Sequence, residues 1–237
     1  MKIAELFYSL QGEGALIGVP SVFIRTSGCN LRCAWCDTPY TSWHPEGADL
    51  SLDQIVDQVK AHPARHVVVT GGEPMIAPEI IPLTERLRRL GLHISIETAG
   101  TVFHPVACDL MSISPKLSNS VPGVGQVPWP AGDPLVAQRW AAQHDRLRIN
   151  PEVLRQLMGR YDHQLKFVIE QPEDLEEVKA LLSAVSADPQ RVILMPEGVD
   201  RDVLRARGIW LAEIAKAQGF RYTPRLHVEL WGNRRGV

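Results

Sequence analysis

The sequence predicts an α/β fold: a mostly parallel sheet with helices outside it, curved into an incomplete (β/α) barrel. Two observations carry this expectation. Short β-branched runs alternate with helical stretches, and several of those stretches have legible caps and stops. Strand-like segments fall at residues 22–25, 66–70, 93–97, 110–114, 165–169, 192–195 and 226–229. Ser51 and Gln54 form a capping box ahead of Ile55, Val56 and Val59. Ile76, Ile80, Leu83, Leu87 and Leu90 recur at helical spacing, with Gly91 as the stop. Pro172 suits the first turn of a helix running to Val185, and Asp200 caps one that ends near Gly219. From residue 121 to 134, seven of fourteen residues are Gly or Pro, which excludes a regular element there. The segment, about 119–135, reads as a surface insertion, with a lid over a site as the alternative. No repeat or low-complexity tail interrupts the rest, and 1–237 is expected to be one domain.

With 237 residues, 45% of them hydrophobic, the chain is long enough to bury a sizeable core. Its formal charge of −2 is spread over interspersed acids and bases, which is not the footprint of a protein that grips phosphate backbones. No apolar run approaches the roughly 18 residues needed to span a bilayer. The opening Met1-Lys2-Ile3-Ala4-Glu5 carries an acid early and no apolar core for a signal peptide, so a cytoplasmic protein is expected. Of four cysteines, three fall within eight residues while Cys108 is distant, a pattern that favours a metal site over a disulfide framework.

The chemistry begins at Gly28-Cys29-Asn30-Leu31-Arg32-Cys33-Ala34-Trp35-Cys36-Asp37-Thr38. Thiolates spaced by three and then two residues can wrap a loop around a small inorganic cluster. A 4Fe–4S cube held by three ligands keeps one iron open to an exogenous molecule. A structural zinc site instead closes itself with four ligands, and Cys108 or His44 would have to complete it. Spacing favours the cluster without excluding zinc.

The Cys29-x-x-x-Cys33-x-Trp35-Cys36 pattern, placed after an early strand, resembles the signature of the radical S-adenosylmethionine superfamily. That resemblance implies a 4Fe–4S cluster on Cys29, Cys33 and Cys36. The open iron binds the amino and carboxylate groups of S-adenosylmethionine, and reductive cleavage yields a 5′-deoxyadenosyl radical that abstracts a substrate hydrogen. It also implies cofactor contacts at Trp35, Cys36, Asp37 and the turn Gly71-Gly72-Glu73-Pro74, where Gly72 backbone can meet the methionine amine. Ser114, Pro115 and Lys116 suit the ribose or carboxylate, and Met195, Pro196, Glu197 and Gly198 suit the adenine. Taken alone, these last two segments are ordinary strand-end loops.

The opening Ser9-Leu10-Gln11-Gly12-Glu13-Gly14, with Val22-Phe23-Ile24-Arg25, Cys36-Asp37-Thr38, Thr70-Gly71-Gly72-Glu73-Pro74, Glu97-Thr98-x-Gly100-Thr101 and Ser114-Pro115-Lys116, resembles the 7-carboxy-7-deazaguanine synthase family. So does the tail Leu226-His227-x-x-Leu230-Trp231-Gly232-Asn233-x-Arg235-Gly236-Val237. The resemblance implies ring contraction of 6-carboxy-5,6,7,8-tetrahydropterin to 7-carboxy-7-deazaguanine, with loss of ammonia, on the route to queuosine. The pterin edge would be read by Leu10, Gln11, Gly12 and Glu13, with Thr70 and His227 nearby. Its carboxylate would meet Arg25 as a bidentate fork. Thr38 would place a hydroxyl on Mg²⁺. A homodimer and a flavodoxin-type electron donor are implied as partners. The local alternatives are that Arg25 pairs with a neighbouring acid, Thr38 caps a turn and His227 is a hydrogen-bonded histidine of the last strand. Trp43, Trp129, Trp140 and Trp210, like the methionines, are assigned to packing, and Cys108 to a buried small hydrophobe. The chain runs past the point where some family members end, which leaves a terminal-carboxylate contact in doubt. The rival functions are a different radical enzyme, such as a glycyl-radical activase, and a zinc-binding interaction module.

Overall fold

A strand buried on both faces reads as a continuous apolar run, and Val67, Val68 and Val69 are all at most 2% exposed. That strand lies near the middle of the sheet. The computed structural model describes residues 1–123 and 134–237. In chain order the strands are β1 (Lys2–Leu10), β2 (Pro20–Thr26), β3 (Ala48–Asp49), β4 (His66–Gly71), β5 (His93–Thr98), β6 (Leu110–Ile113), β7 (His163–Ile169), β8 (Val192–Pro196) and β9 (Arg221–Tyr222). The helices are α1 (Pro39–Ser42), α2 (Leu52–Lys60), α3 (Ile80–Arg89), α4 (Pro134–Leu147), α5 (Pro151–Arg160), α6 (Asp174–Val185), α7 (Arg201–Gln218) and α8 (Leu226–Trp231).

The sheet order is β3-β1-β2-β4-β5-β6-β7-β8-β9. From β2 to β9 every pairing is parallel, and β1 runs antiparallel to both β2 and β3. The edges β3 and β9 do not pair, so the sheet is open, as an incomplete barrel requires. The apolar faces of α2, α3, α5, α6 and α7 cover it, with Ile55, Leu83, Leu87, Leu157, Val178 and Leu211 joining the strand valines and isoleucines in one core. The Ser51 capping box forms in full, Asp200 accepts from Asp202 N and Val203 N, and α7 stops at Gly219 in the left-handed conformation.

Several expectations change. Residues 226–229 form the helix α8 and not a strand. Their four-residue alternation suits either structure, only Val228 is buried, and Leu226 N bonds Gly12 O across to the opening motif. Ile76 belongs to a 3-10 turn, Pro74–Ile76, ahead of α3, because Pro78 bars its predecessor from the helical region. The strand β1 and the helices α4 and α5 were not foreseen. The middle of the Pro/Gly-rich segment, with Trp129, lies outside the described residues. No described helix is long and apolar enough to cross a membrane.

Candidate active site

Parallel strands deliver their carboxyl-end loops to one side of a sheet. The loop after β2 carries the three cysteines and the loop after β4 carries Gly71-Gly72-Glu73-Pro74. Register pairs Thr26 with Gly71, so both loops leave the sheet at the same height. They then touch: Gly72 N donates to Thr26 O and Glu73 N donates to Gly28 O. A Cβ on Gly72 would lie 2.3 Å from Gly28 O and 2.7 Å from Cys29 Cβ, so only glycine lets these backbones meet. Glu73 is fully buried and fastens the turn to the end of β5. It accepts from Thr98 Oγ1 (2.7 Å), Ala99 N (2.8 Å) and Met75 N (3.0 Å).

These loops, the opening motif and the chain end surround a cavity of about 430 Å³, within the ordinary range of small-molecule sites. All the sequence-predicted site residues line it except Pro115, Pro196 and Gly198. Gly198 stands just behind, its carbonyl accepting from Arg225 at 2.6 Å. The final residues Asn233 to Val237 also line the cavity, which settles where the extended tail goes. Arg235 lies over the Tyr40 ring, 3.4 Å from its centroid, and pairs with Glu46.

The three cysteines are free thiols on the cavity wall. Leu31 N donates to Cys29 Sγ, and Ser42 Oγ lies 3.2 Å from Cys36 Sγ. Among the described residues no three His, Cys, Asp or Glu form a compact set able to hold a metal ion. The thiols therefore share a cavity without closing round a single zinc. Burial pushes all three upward, Cys29 to about 12, so without a metal they stay protonated. A coordinated cation reverses that preference, and three thiols on one wall, with hydrogen-bond donors to sulfur, fit a cluster gripped from one side. Cys108 sits apart, its thiol directed at Ile94 O.

The same cavity holds a buried ionic network that the sequence reading missed. Lys166, 5% exposed, donates to Glu13 and to Glu97 at 3.0 Å. Arg225 bridges Glu13 (3.1 Å) and Asp37. Burial raises the Glu13 carboxyl, but Lys166 and then Arg225 outweigh it, holding Glu13 ionised and well below the usual carboxylate range. Burial likewise opposes charge on Lys166, and its two carboxylates more than restore it. Gln11 is part of the same scaffold: its Nε2 donates to Glu97 and its Oε1 accepts from Glu13 N, both at 3.3 Å. The one available signal for Lys166 was a lysine inside the apolar run Leu165-Lys166-Phe167-Val168-Ile169. Nothing marked Arg225.

Arg25 reaches the wall already paired through Nε with Glu5 (2.7 Å), which also accepts from Tyr40 OH. The neighbouring-acid alternative thus holds, and it leaves the guanidinium at the cavity. Thr38 precedes α1 but its hydroxyl does not cap it; Oγ1 lies 3.4 Å from Thr41 Oγ1 and 3.9 Å from Cys36 Sγ. His227 comes from α8 and packs so closely on Gly12 that a Cβ there would stand 2.1 Å from Nδ1. Lys116 folds back onto Ser114, bonding its carbonyl and hydroxyl.

Residues 23–116 match the Radical SAM superfamily model. A 7-carboxy-7-deazaguanine synthase of Halobacterium salinarum is 46% identical over 98% of this chain and 91% of its own. That of Rhodopirellula baltica is 42% identical over 100% and 89%. The solved structure of QueE from Escherichia coli superimposes with a TM-score of 0.67 at 28% identity, covering 95% of this chain and 94% of that one. SuiB of Streptococcus suis, bound to its precursor peptide, shares the fold alone (TM-score 0.54, 12% identity, 85% and 47% covered). Motifs, cavity and full-length relatives agree, and the chain belongs to the 7-carboxy-7-deazaguanine synthase family of radical S-adenosylmethionine enzymes.

Proposed function

We propose that the cavity carries out the family's ring contraction, taking 6-carboxy-5,6,7,8-tetrahydropterin to 7-carboxy-7-deazaguanine with release of ammonia. The observation that carries the reading is the convergence of separate strand-end loops, the opening motif and α8 on one space. Cys29, Cys33 and Cys36 would hold the 4Fe–4S cluster. Trp35, Asp37, Gly72, Ser114, Lys116, Met195 and Glu197 would line the S-adenosylmethionine subsite. When bound, cluster and cofactor together supply a reversible source of a carbon-centred radical for hydrogen abstraction.

The chain's own part is orientation. Ionised Glu13 is an acceptor whose carboxylate keeps lone pairs beyond those used by Lys166 and Arg225, so it suits the N–H groups of the pterin's amine-and-amide edge. Arg25, steadied by Glu5, offers positive charge to the substrate carboxylate. Thr38, whose hydroxyl is not spent on capping, suits a Mg²⁺ that keeps most of its ligands as water and substrate oxygen. His227 closes the side of the subsite over Gly12. The reading carries with it a single catalytic unit, a homodimer, a flavodoxin-type reductant and a cytoplasmic setting. Anaerobic incubation of the reconstituted protein with the carboxytetrahydropterin, S-adenosylmethionine and reductant should give the deazaguanine by mass. Cofactor cleavage with no pterin consumed would overturn it.

A further inference from the structure

The loop between Cys29 and Cys33 is short, exposed to the cavity on one side and dependent on outside contacts on the other. Arg32, immediately before Cys33, has its backbone N–H directed at Nδ1 of His144 in α4 (3.0 Å). The other ring nitrogen, Nε2, lies 2.9 Å from Ser120 Oγ. That hydroxyl bonds Leu117 O at 2.6 Å, and Ser120 O accepts from Ala34 N at 2.9 Å. The Nδ1 atom accepts, so Nε2 must carry the proton and donate to Ser120. His144 is completely buried. Burial first, then the Arg148 and Lys116 charges, lower its pKa to about 4, so the ring is neutral, as two-sided bonding requires. One turn earlier on the same helix, the Trp140 ring lies 4.1 Å from the Arg32 guanidinium. That guanidinium bonds the carbonyls of Cys29 and Leu31.

We infer that α4 is a clamp on the cysteine loop, with His144 the positioning residue that holds Arg32 so that the three thiols present themselves together. A hydrogen bond from a loop amide to a buried, two-sided histidine restrains the loop's freedom to splay when an iron is lost. Its effect should therefore appear in how firmly the cluster is kept rather than in how the substrate is bound. This inference rests on the assignment of the cluster to Cys29, Cys33 and Cys36.

The test compares wild type, His144→Phe and His144→Gln, each anaerobically reconstituted. Iron release to a chelator and the electron paramagnetic resonance spectrum of the reduced cluster are measured alongside the circular dichroism melt. Phe keeps the ring's bulk but neither bond, leaving the Arg32 N–H unpaired. Iron release should then be about ten- to a hundredfold faster than wild type, with a broadened spectrum. Gln can accept with its oxygen and donate with its nitrogen, and should recover most of the retention. A folded His144→Phe protein that keeps its cluster like wild type overturns the clamp. So does a folded His144→Gln protein that loses iron as fast as the Phe variant. If wild type itself takes up no iron, the cluster assignment fails, and that result is distinguishable from either.

Discussion

Lys166→Met removes one charge from the buried network with little change in side-chain length. Lys166 is 5% exposed and sits between carboxylates that are 15% and 17% exposed. The variant leaves Glu97 without its lysine and Glu13 with Arg225 alone. Breaking a buried pair by deleting one partner costs about 3–5 kcal/mol, because the remaining charge stays desolvated. With a urea slope near 3 kcal/mol per molar for a chain of this size, the midpoint should fall by about 1–1.7 M. The pH dependence follows from linkage. The lowered Glu13 pKa contributes stability that is present above its unfolded value, 4.5, and is lost as pH falls through the folded one. The raised Lys166 pKa contributes stability that is full below 10.5 and is lost at higher pH. The gap between wild type and variant should thus be flat from about pH 5 to about pH 10 and close outside that window. Urea titrations at several pH values measure it. A midpoint unchanged at pH 7, or a gap that widens in acid, would refute the network's role.

Alanine at Cys29, Cys33 or Cys36 should abolish iron uptake and turnover while Cys108→Ala spares both; stoichiometric zinc in the wild type would defeat the assignment. Thr38→Ala should weaken rate enhancement by Mg²⁺ and leave iron content unchanged, whereas activity indifferent to chelation removes Mg²⁺ from the site. Arg25→Ala should cost about 2–5 kcal/mol in pterin use, Arg25→Lys less, both keeping the cluster; intact turnover in either assay would make Arg25 a partner of Glu5 only. Gly12→Ala forces the His227 ring aside, since the new methyl carbon would stand 2.1 Å from Nδ1. Its kcat/KM should fall with iron content unchanged.

Central strands were legible because β4 and β8 are continuous apolar runs, Val67-Val68-Val69 and Val192-Ile193-Leu194-Met195, while β5 alternates Ile94 and Ile96 with polar residues. The strand β1 was not, because its faces are half-exposed and Lys2-Ile3-Ala4-Glu5-Leu6-Phe7-Tyr8 alternates poorly. The α8 error has a simple cause: four residues are too few to separate a period of 2 from one of 3.6. In the site, residues whose chemistry depends on local spacing were found, as with the cysteines and Gly72. Those whose role depends on a distant partner were hidden. Arg225 meets Asp37 188 positions away and Glu13 212 positions away, and no spacing rule reaches that far. Gln11 was recognised, but its bonds to Glu97 and Glu13 N show it bracing the subsite as well as facing it.

The parallel order from β2 to β8 divides the molecule into a working rim and a plain one, and this bears on protein engineering. At the amino ends of the strands, the turn at Gly91 between α3 and β5 and the turn at Ser186 between α6 and β8 are remote from the cavity lining. A short reporter peptide spliced into either should leave cluster loading and catalysis intact. At the opposite rim the loops after β2 and β4 brace one another backbone to backbone. One extra residue after Thr26 or Gly71 would dislodge both at once.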